Sequence, residues 1–537
     1  MDFLKNHSFF IFLFLTIIFG IIIFSPYADF QDFLAQGDHG RDLYAAQAVL
    51  RGEIPYKDFW WVYGPLMPYY YAAFFKLFGI QVTSILWGKM VLNIACGTLC
   101  FLAVSEIFVP AAAFATSLWL MCFQQDFFFT YDHVGGIALI LAGIWMHCAY
   151  IRRSRIGSAY AALAFVFLLG LVKINFGLVA LLITILTVNV FDRIRKRNSY
   201  AIKLFYITAL FLPLAWAVIY YGMTFGLTFA EIRQCFPYLK GDEPYNHLSF
   251  MQTIPMLTHQ YLRQARMDHV LYAVALIIFI CLLRTAQLFL IKKNDYPKKI
   301  EELLLIVYAA LFCLLNLNEY LPSGVLYRSF WAQPPGILLC AFIIIIALNK
   351  SPLFLKRAVW AFFVIICLLN IKQNLNEIRA FKTPAHFLDL PKTHVYIRNG
   401  PRWIQTVKQT TLLINRTLNK EDLFFALPYD CLYYYLTNKR SPTRQLIIFE
   451  HIKIPVEQER KIIAELINKK IKMVLISSRQ STTEPGHGIL GQTYCPLLYN
   501  FIRKKYTPFA QFGEWTMPSG WINNHGTVLL KLKDQGY

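Results

Sequence analysis

The sequence predicts a polytopic α-helical membrane protein with a small polar α/β tail, and three observations carry that prediction. Of its 537 residues 57% are hydrophobic and the mean hydropathy is +0.45, with apolar runs near bilayer-spanning length recurring as far as residue 371. A water-soluble core needs no such excess of apolar surface. Lysines and arginines collect in every second loop between those runs, as membrane topology requires. From residue 374 onward the apolar runs shorten to strand length and charge returns.

Taken in order, the chain opens with an apolar run over residues 9–24 that lacks a small-x-small cleavage site before Pro26, so it reads as an uncleaved signal anchor. About eleven spans of roughly 20 residues follow from the hydropathy pattern. They centre near residues 9–27, 84–104, 108–124, 134–151, 157–172, 174–191, 201–222, 270–291, 302–318, 334–348 and 357–371. Basic residues mark the loops holding Arg152, Arg153 and Arg155, residues 193–197, 292–299 and 350–357, which are therefore cytoplasmic. The opposite loops are residues 31–66, 125–132, the turn at Lys173, 223–268 and 316–333, and these face outward with the tail. The division is a membrane part, residues 1–373, with amphipathic helices along the outer surface in its first loop, and a soluble extracytoplasmic α/β part, residues 374–537. Within the latter, residues 420–429 and 471–477 read as buried strands and residues 458–470 as an amphipathic helix.

A formal charge of +21 could suggest nucleic acid, but the cations sit at span ends and in the tail, where topology and anionic lipid explain them. Cys96, Cys100, Cys148, Cys281, Cys313, Cys340 and Cys367 fall in apolar segments as small fillers; Cys431 and Cys495, in the tail, either pair or stay free. No Walker loop, paired-Cys zinc pattern or nucleophile elbow occurs.

The densest chemistry is residues 37–65, GDHGRDLYAAQAVLRGEIPYKDFWWVYGP, directly after the first span. Leu43, Ala46, Val49 and Leu50 share one face of a helix over residues 41–50, predicting an amphipathic helix on the outer surface with Asp38 and Arg41 at its mouth. Asp38 is then a helix cap or a catalytic carboxylate. Lys173, polar between two apolar segments, is a headgroup anchor or a cavity-facing cation. Trp60, Trp61, Tyr63 and Tyr69 to Tyr71 read most simply as an interfacial belt, though a sugar or prenyl groove uses the same rings. Asp38, His39, Asp42, Asp132 and His133 lack a tight metal-ligand spacing, so a divalent metal is possible but not favoured.

Asp38-His39-Gly40-Arg41 before an Ala-rich helix, then Tyr63-Gly64-Pro65-Leu66 and Phe75-Lys76-Leu77-Phe78-Gly79, resembles the first outer loop of GT-C glycosyltransferases. The most similar type is the polyprenyl-phosphate-sugar-dependent group that includes aminoarabinose-lipid A transferases and protein O-mannosyltransferases. Tyr131-Asp132-His133, the turn Gly170-Leu171-Val172-Lys173-Ile174-Asn175-Phe176-Gly177, and Tyr327-Arg328 with Pro334-Pro335 are similar to further family anchors in the family's order. All fall on the outward side by the independent charge argument. The sequence departs from the pattern at Tyr63, where many relatives have a lysine, and at His39, where Glu is commoner. The missing phosphate contact is lost, or supplied by Lys57 or Lys173. The loop over residues 223–268 matches no family pattern.

The resemblance implies a GT-C-like fold and sugar transfer from a polyprenyl-phosphate donor to a hydroxyl of a cell-envelope acceptor, outside the inner membrane and without a cofactor. Asp38 becomes the general base. Arg41, Lys173 and Arg328 become the cations that stabilise the departing lipid phosphate, and His39, Tyr63, Asp132 and His133 possible substrate contacts. The alternative is a non-enzymatic transporter or flippase of lipid-linked sugars, for which internal repeats or paired broken helices would be expected; neither is visible.

Overall fold

The computed structural model describes residues 2–123, 131–194, 199–236, 308–313, 315–316, 330–349, 351–481, 486–515 and 525–533. The predicted span over 270–291, most of 302–318, and Arg328 lie outside the described residues.

The membrane part begins with α1 (Asp2–Phe24), followed by the two-residue strand β1 (Phe30–Gln31), α2 (Asp38–Leu50) and α3 (Leu66–Phe78) in the first loop. Then come α4 (Val82–Ser105), α5 (Pro110–Phe123), α6 (Asp132–Arg153), α7 (Ile156–Val172), α8 (Ile174–Ile194), α9 (Tyr200–Thr224) and the short α10 (Phe229–Cys235). Two further long helices are α11 (Gln333–Asn349) and α12 (Leu353–Phe381). Among the described residues six helices, α1, α4, α6, α8, α9 and α12, are long and apolar enough to cross a bilayer, and α5, α7 and α11 are shorter apolar helices. These nine coincide with predicted spans. In hydrocarbon the backbone must satisfy its own hydrogen bonds, so continuous apolar sequence becomes helix. Large apolar side chains such as Leu210, Phe211, Phe362 and Leu369 remain exposed on α9 and α12, as a lipid-facing surface requires.

The tail adds β2 (Phe387–Leu390), β3 (Thr393–Ile397), α13 (Pro401–Thr417), β4 (Phe424–Leu427), α14 (Cys431–Thr437), α15 (Val456–Asn468), β5 (Met473–Ser477), α16 (Pro496–Lys505), β6 (Tyr506–Gly513) and β7 (Gly526–Leu532). Strands β4 and β5 pair in parallel, Phe424 opposite Met473, with α15 in the connection between them; β7 and β6 extend the sheet antiparallel in the order β4-β5-β7-β6. Every residue of β4 and β5 is buried, which explains their unbroken apolar sequence.

The first loop and the tail interlock. Strand β1 pairs with β3 in parallel, Phe30 opposite Tyr396, completing a sheet of order β1-β3-β2, and α2 lies against α14. A Cβ on Gly40 would stand 2.3 Å from the Leu432 backbone nitrogen, so only glycine lets these helices approach this closely.

Two expectations are overturned here. Residues His39 to Ala48 of α2 are all buried, so α2 is not an amphipathic helix on the outer surface: α3 covers one side and the tail the other. Trp60 and Trp61 are 3% and 0% exposed and form no interfacial belt, because the tail and α10 cover them: the Trp60 backbone nitrogen donates to the Arg444 carbonyl at 2.8 Å and its indole nitrogen to the Gln234 carbonyl at 3.2 Å. Cys431 and Cys495 are buried free thiols.

Candidate active site

The described parts of the outward-assigned loops converge at one end of the helices, around the start of α2. Asp38, Arg41 and Asp42 stand at i, i+3 and i+4 and so share a face of α2. Arg41 donates to Asp42 Oδ1 through Nε at 3.0 Å and Nη2 at 2.7 Å, while Asp42 Oδ2 accepts the Tyr131 backbone N–H at 3.0 Å. That last bond ties the first loop to the start of α6. Arg41 Nη1 lies 3.6 Å from Asp38 Oδ1, and the Asp38 side chain is 35% exposed where that of Arg41 is 3%. Asp38 occupies the first helical position, with Gly37 as N-cap. A carboxylate is favoured there by the helix dipole, and its side chain accepts a hydrogen bond from the Tyr429 hydroxyl at 2.9 Å.

Burial pushes the Asp42 carboxyl up to about 6, with the charge and hydrogen bonds of Arg41 pulling it down. For Arg41, burial opposes the charge, but Asp42, Tyr429, Tyr63 and Asp38 together hold its pKa above the ordinary arginine value. The guanidinium is therefore a fixed cation in a dry setting.

Two cations lie over the Tyr63 ring. Arg41 lies 4.9 Å from its centroid and Lys173 Nζ 5.1 Å; Arg41 also lies 5.2 Å from Trp61, and Lys173 5.8 Å from Trp331. Such contacts stabilise a charge stripped of water. The backbone holds them in place: the Gly64 N–H donates to the Val172 carbonyl at 2.7 Å, seating the Tyr63-Gly64-Pro65-Leu66 turn on the end of α7. A Cβ on Gly64 would fall 2.0 Å from the Leu171 carbonyl oxygen, which makes glycine obligatory. Lys173 sits in the break between α7 and α8 in extended conformation, 6% exposed. Of the two lysines, Lys173 is the one beside Tyr63, whereas Lys57 is exposed.

The remaining predicted residues divide. Asp132, 1% exposed, has its Oδ2 buried without a hydrogen bond from any described residue, within electrostatic range of Asp42, Arg41 and Lys173. His133 packs 5.2 Å from Tyr63 and 5.0 Å from Phe330, centroid to centroid. His39 is wholly buried, and its Nδ1 accepts the Ala35 backbone N–H at 3.0 Å. That bond braces the turn leading into α2. Among the described residues no three of His, Cys, Asp and Glu are grouped to hold a metal ion.

No family model matches the chain, and no curated protein is similar to it in sequence. Solved structures are similar in fold. The Archaeoglobus fulgidus oligosaccharyltransferase in complex with Zn and sulfate aligns at a TM-score of 0.51 and 11% identity, covering 93% of this chain and 72% of that one; its apo form aligns at 0.50 and 11%, covering 96% and 76%. ArnT from Cupriavidus metallidurans bound to undecaprenyl phosphate aligns over 96% of this chain and 97% of that one at 12% identity, with a TM-score of 0.47. The chain has the fold of a GT-C glycosyltransferase.

Within this GT-C fold the cluster lies where the first loop, the start of α6 and the α7–α8 break meet beneath the tail. Reasoning from sequence weighed Asp42 only as a metal ligand, whereas it is the partner of Arg41. A usable signal was present, since Asp38, Arg41 and Asp42 share a helix face. Tyr429 carried no signal, being 391 residues from Asp38.

Proposed function

We propose that this GT-C chain transfers a sugar from a polyprenyl-phosphate donor to a hydroxyl of a cell-envelope acceptor, at the extracytoplasmic face of the inner membrane. The observation that carries the reading is a partly exposed carboxylate, Asp38, held beside the buried Arg41, which shares the Tyr63 ring with a second buried cation, Lys173. In this reading the acceptor hydroxyl gives its proton to Asp38 as its oxygen attacks the anomeric carbon. The bond from that carbon to the phosphate oxygen breaks, and the lipid phosphate leaves with the electron pair. Arg41 and Lys173 stabilise the growing negative charge in a water-poor setting, where such stabilisation is strongest. Arg328, outside the described residues, is proposed as a third cation, and Tyr63, His133 and Asp132 as substrate contacts. The reaction as written uses no cofactor. The membrane part of about eleven spans and an outward tail complete the reading.

The test is sugar transfer in membranes containing the full chain, with undecaprenyl-phosphate hexoses and pentoses as donors and lipid A, envelope glycan and protein as acceptors. Asp38→Asn is expected to abolish transfer while donor binding persists. Equal transfer by both proteins removes Asp38 as base. Saturable donor binding with translocation and no transfer replaces the enzyme by a transporter.

A further inference from the structure

We infer that Tyr429, contributed by the tail, is a positioning residue for the Asp38 carboxylate, so the site is completed only when the tail is docked. The inference rests on the reading of Asp38 as general base. A carboxylate turns about a soft, roughly two-fold torsion, and a base on a helix start needs something to fix its plane. Tyr429 and Arg41 both address the same oxygen, Oδ1, at 2.9 and 3.6 Å. Among the described residues no hydrogen bond reaches Oδ2, which is thereby left to the acceptor.

The Tyr429 ring is itself immobilised. It is 5% exposed, meets Trp60 and Phe449 edge-on at 6.4 and 6.2 Å between centroids, and lies where a Cβ on Gly37 would be 2.4 Å from the ring. Burial keeps its phenol protonated well beyond the ordinary tyrosine range, so the hydroxyl stays a donor. Its position follows directly from β4, whose last residue is Leu427, and precedes α14, which packs on α2. One short stretch of the tail therefore both docks on α2 and supplies the hydroxyl.

The experiment uses Tyr429→Phe in the full chain, which removes only the hydroxyl, with Asp38→Asn alongside. Across the same panel of undecaprenyl-phosphate sugars, kcat is expected to fall about 10-fold, the value of one hydrogen bond to a charged group. Donor KM is expected to stay at the unmodified value, and the melting temperature to fall by no more than one lost hydrogen bond explains. An unchanged kcat overturns the inference, as does a loss of kcat accompanied by a higher donor KM or by loss of the folded protein. Independently of turnover, labelling by a water-soluble carbodiimide, read by mass spectrometry, is expected to rise severalfold at Asp38 in Tyr429→Phe with no change at Asp42. Equal labelling of Asp38 in both proteins also overturns it. Transfer that survives Asp38→Asn sinks the base assignment instead; transfer lost in Asp38→Asn but unaffected in Tyr429→Phe sinks only the role of Tyr429.

Discussion

The two ends of the helical bundle each carry an arginine forked onto a carboxylate, and the two pairs differ in what surrounds them. At the end assigned to the cytoplasm, Arg153 at the close of α6 donates to Glu106 through Nε at 2.9 Å and Nη2 at 2.6 Å, with the arginine side chain 53% exposed and only the glutamate, at 8%, covered. At the other end, Arg41 grips Asp42 with side chains 3% and 1% exposed. The buried pair is surrounded by further partners: the Tyr131 N–H on Asp42 and the Trp61 and Tyr63 rings on Arg41. Burial without these would cost more than the attraction returns. The lesson is that the same chemical pair serves topology at one end and a site at the other, and the covering layers make the difference.

The comparison is broken most severely by Asp42→Ala, which strands Arg41 in a dry setting. Loss of one partner of a buried pair costs about 3–5 kcal/mol, so a large drop in melting temperature together with loss of transfer is expected. A drop under about 1 kcal/mol would put Arg41 and Asp42 on the footing of a solvent-exposed pair. Lys173→Met tests the second cation. It removes a positive charge from beside the buried Asp132, so a lower melting temperature is expected, together with a donor affinity reduced roughly 10- to 100-fold. A donor titration alongside thermal unfolding decides it.

Asp430 sharpens the contrast, because this buried carboxyl is held by Ser477, which donates to its Oδ2 at 2.6 Å. Burial pushes it up to about 7 from the ordinary 3.8, against the hydrogen bond from Ser477 and the charge of Arg479. A carboxyl raised in the folded state binds protons there more readily than when unfolded, so its contribution to stability declines as pH rises from about 3.8 to about 7. Asp430→Asn is accordingly expected to flatten the dependence of melting temperature on pH between these limits; an unchanged slope would discount the shift. The smallest effect belongs to Glu106→Gln, about 1 kcal/mol with transfer unaffected, since Gln keeps an acceptor oxygen and the half-exposed Arg153 is rehydrated when the charge is lost.

Much of the fold was legible because membrane helices are written locally. The apolar runs that became α4, α6 and α9 need only their own hydropathy and length, and β4 and β5 announce themselves as short unbroken apolar runs with α15 between them. Of the candidate site, Asp38, Arg41, Lys173, Asp132 and His133 were legible as polar groups beside apolar segments, a costly placement that draws attention. The burial of α2 was not legible, because its Ala-rich pattern suits a surface helix equally well. Trp60 and Trp61 misled for a related reason: tryptophan prefers both the membrane interface and a buried seam.

By itself the sequence determined that this is a membrane protein, the order of the helices described and which loops share a side, since these follow from hydropathy and the placement of lysine and arginine. Only the tertiary structure decided which charges meet. Asp38 is joined to Tyr429 across 391 residues and Gln47 to Asn438 across another 391, through the close approach that Gly40 permits between α2 and α14. Contacts between distant segments depend on shape and packing accumulated over the whole chain, and no local pattern records them.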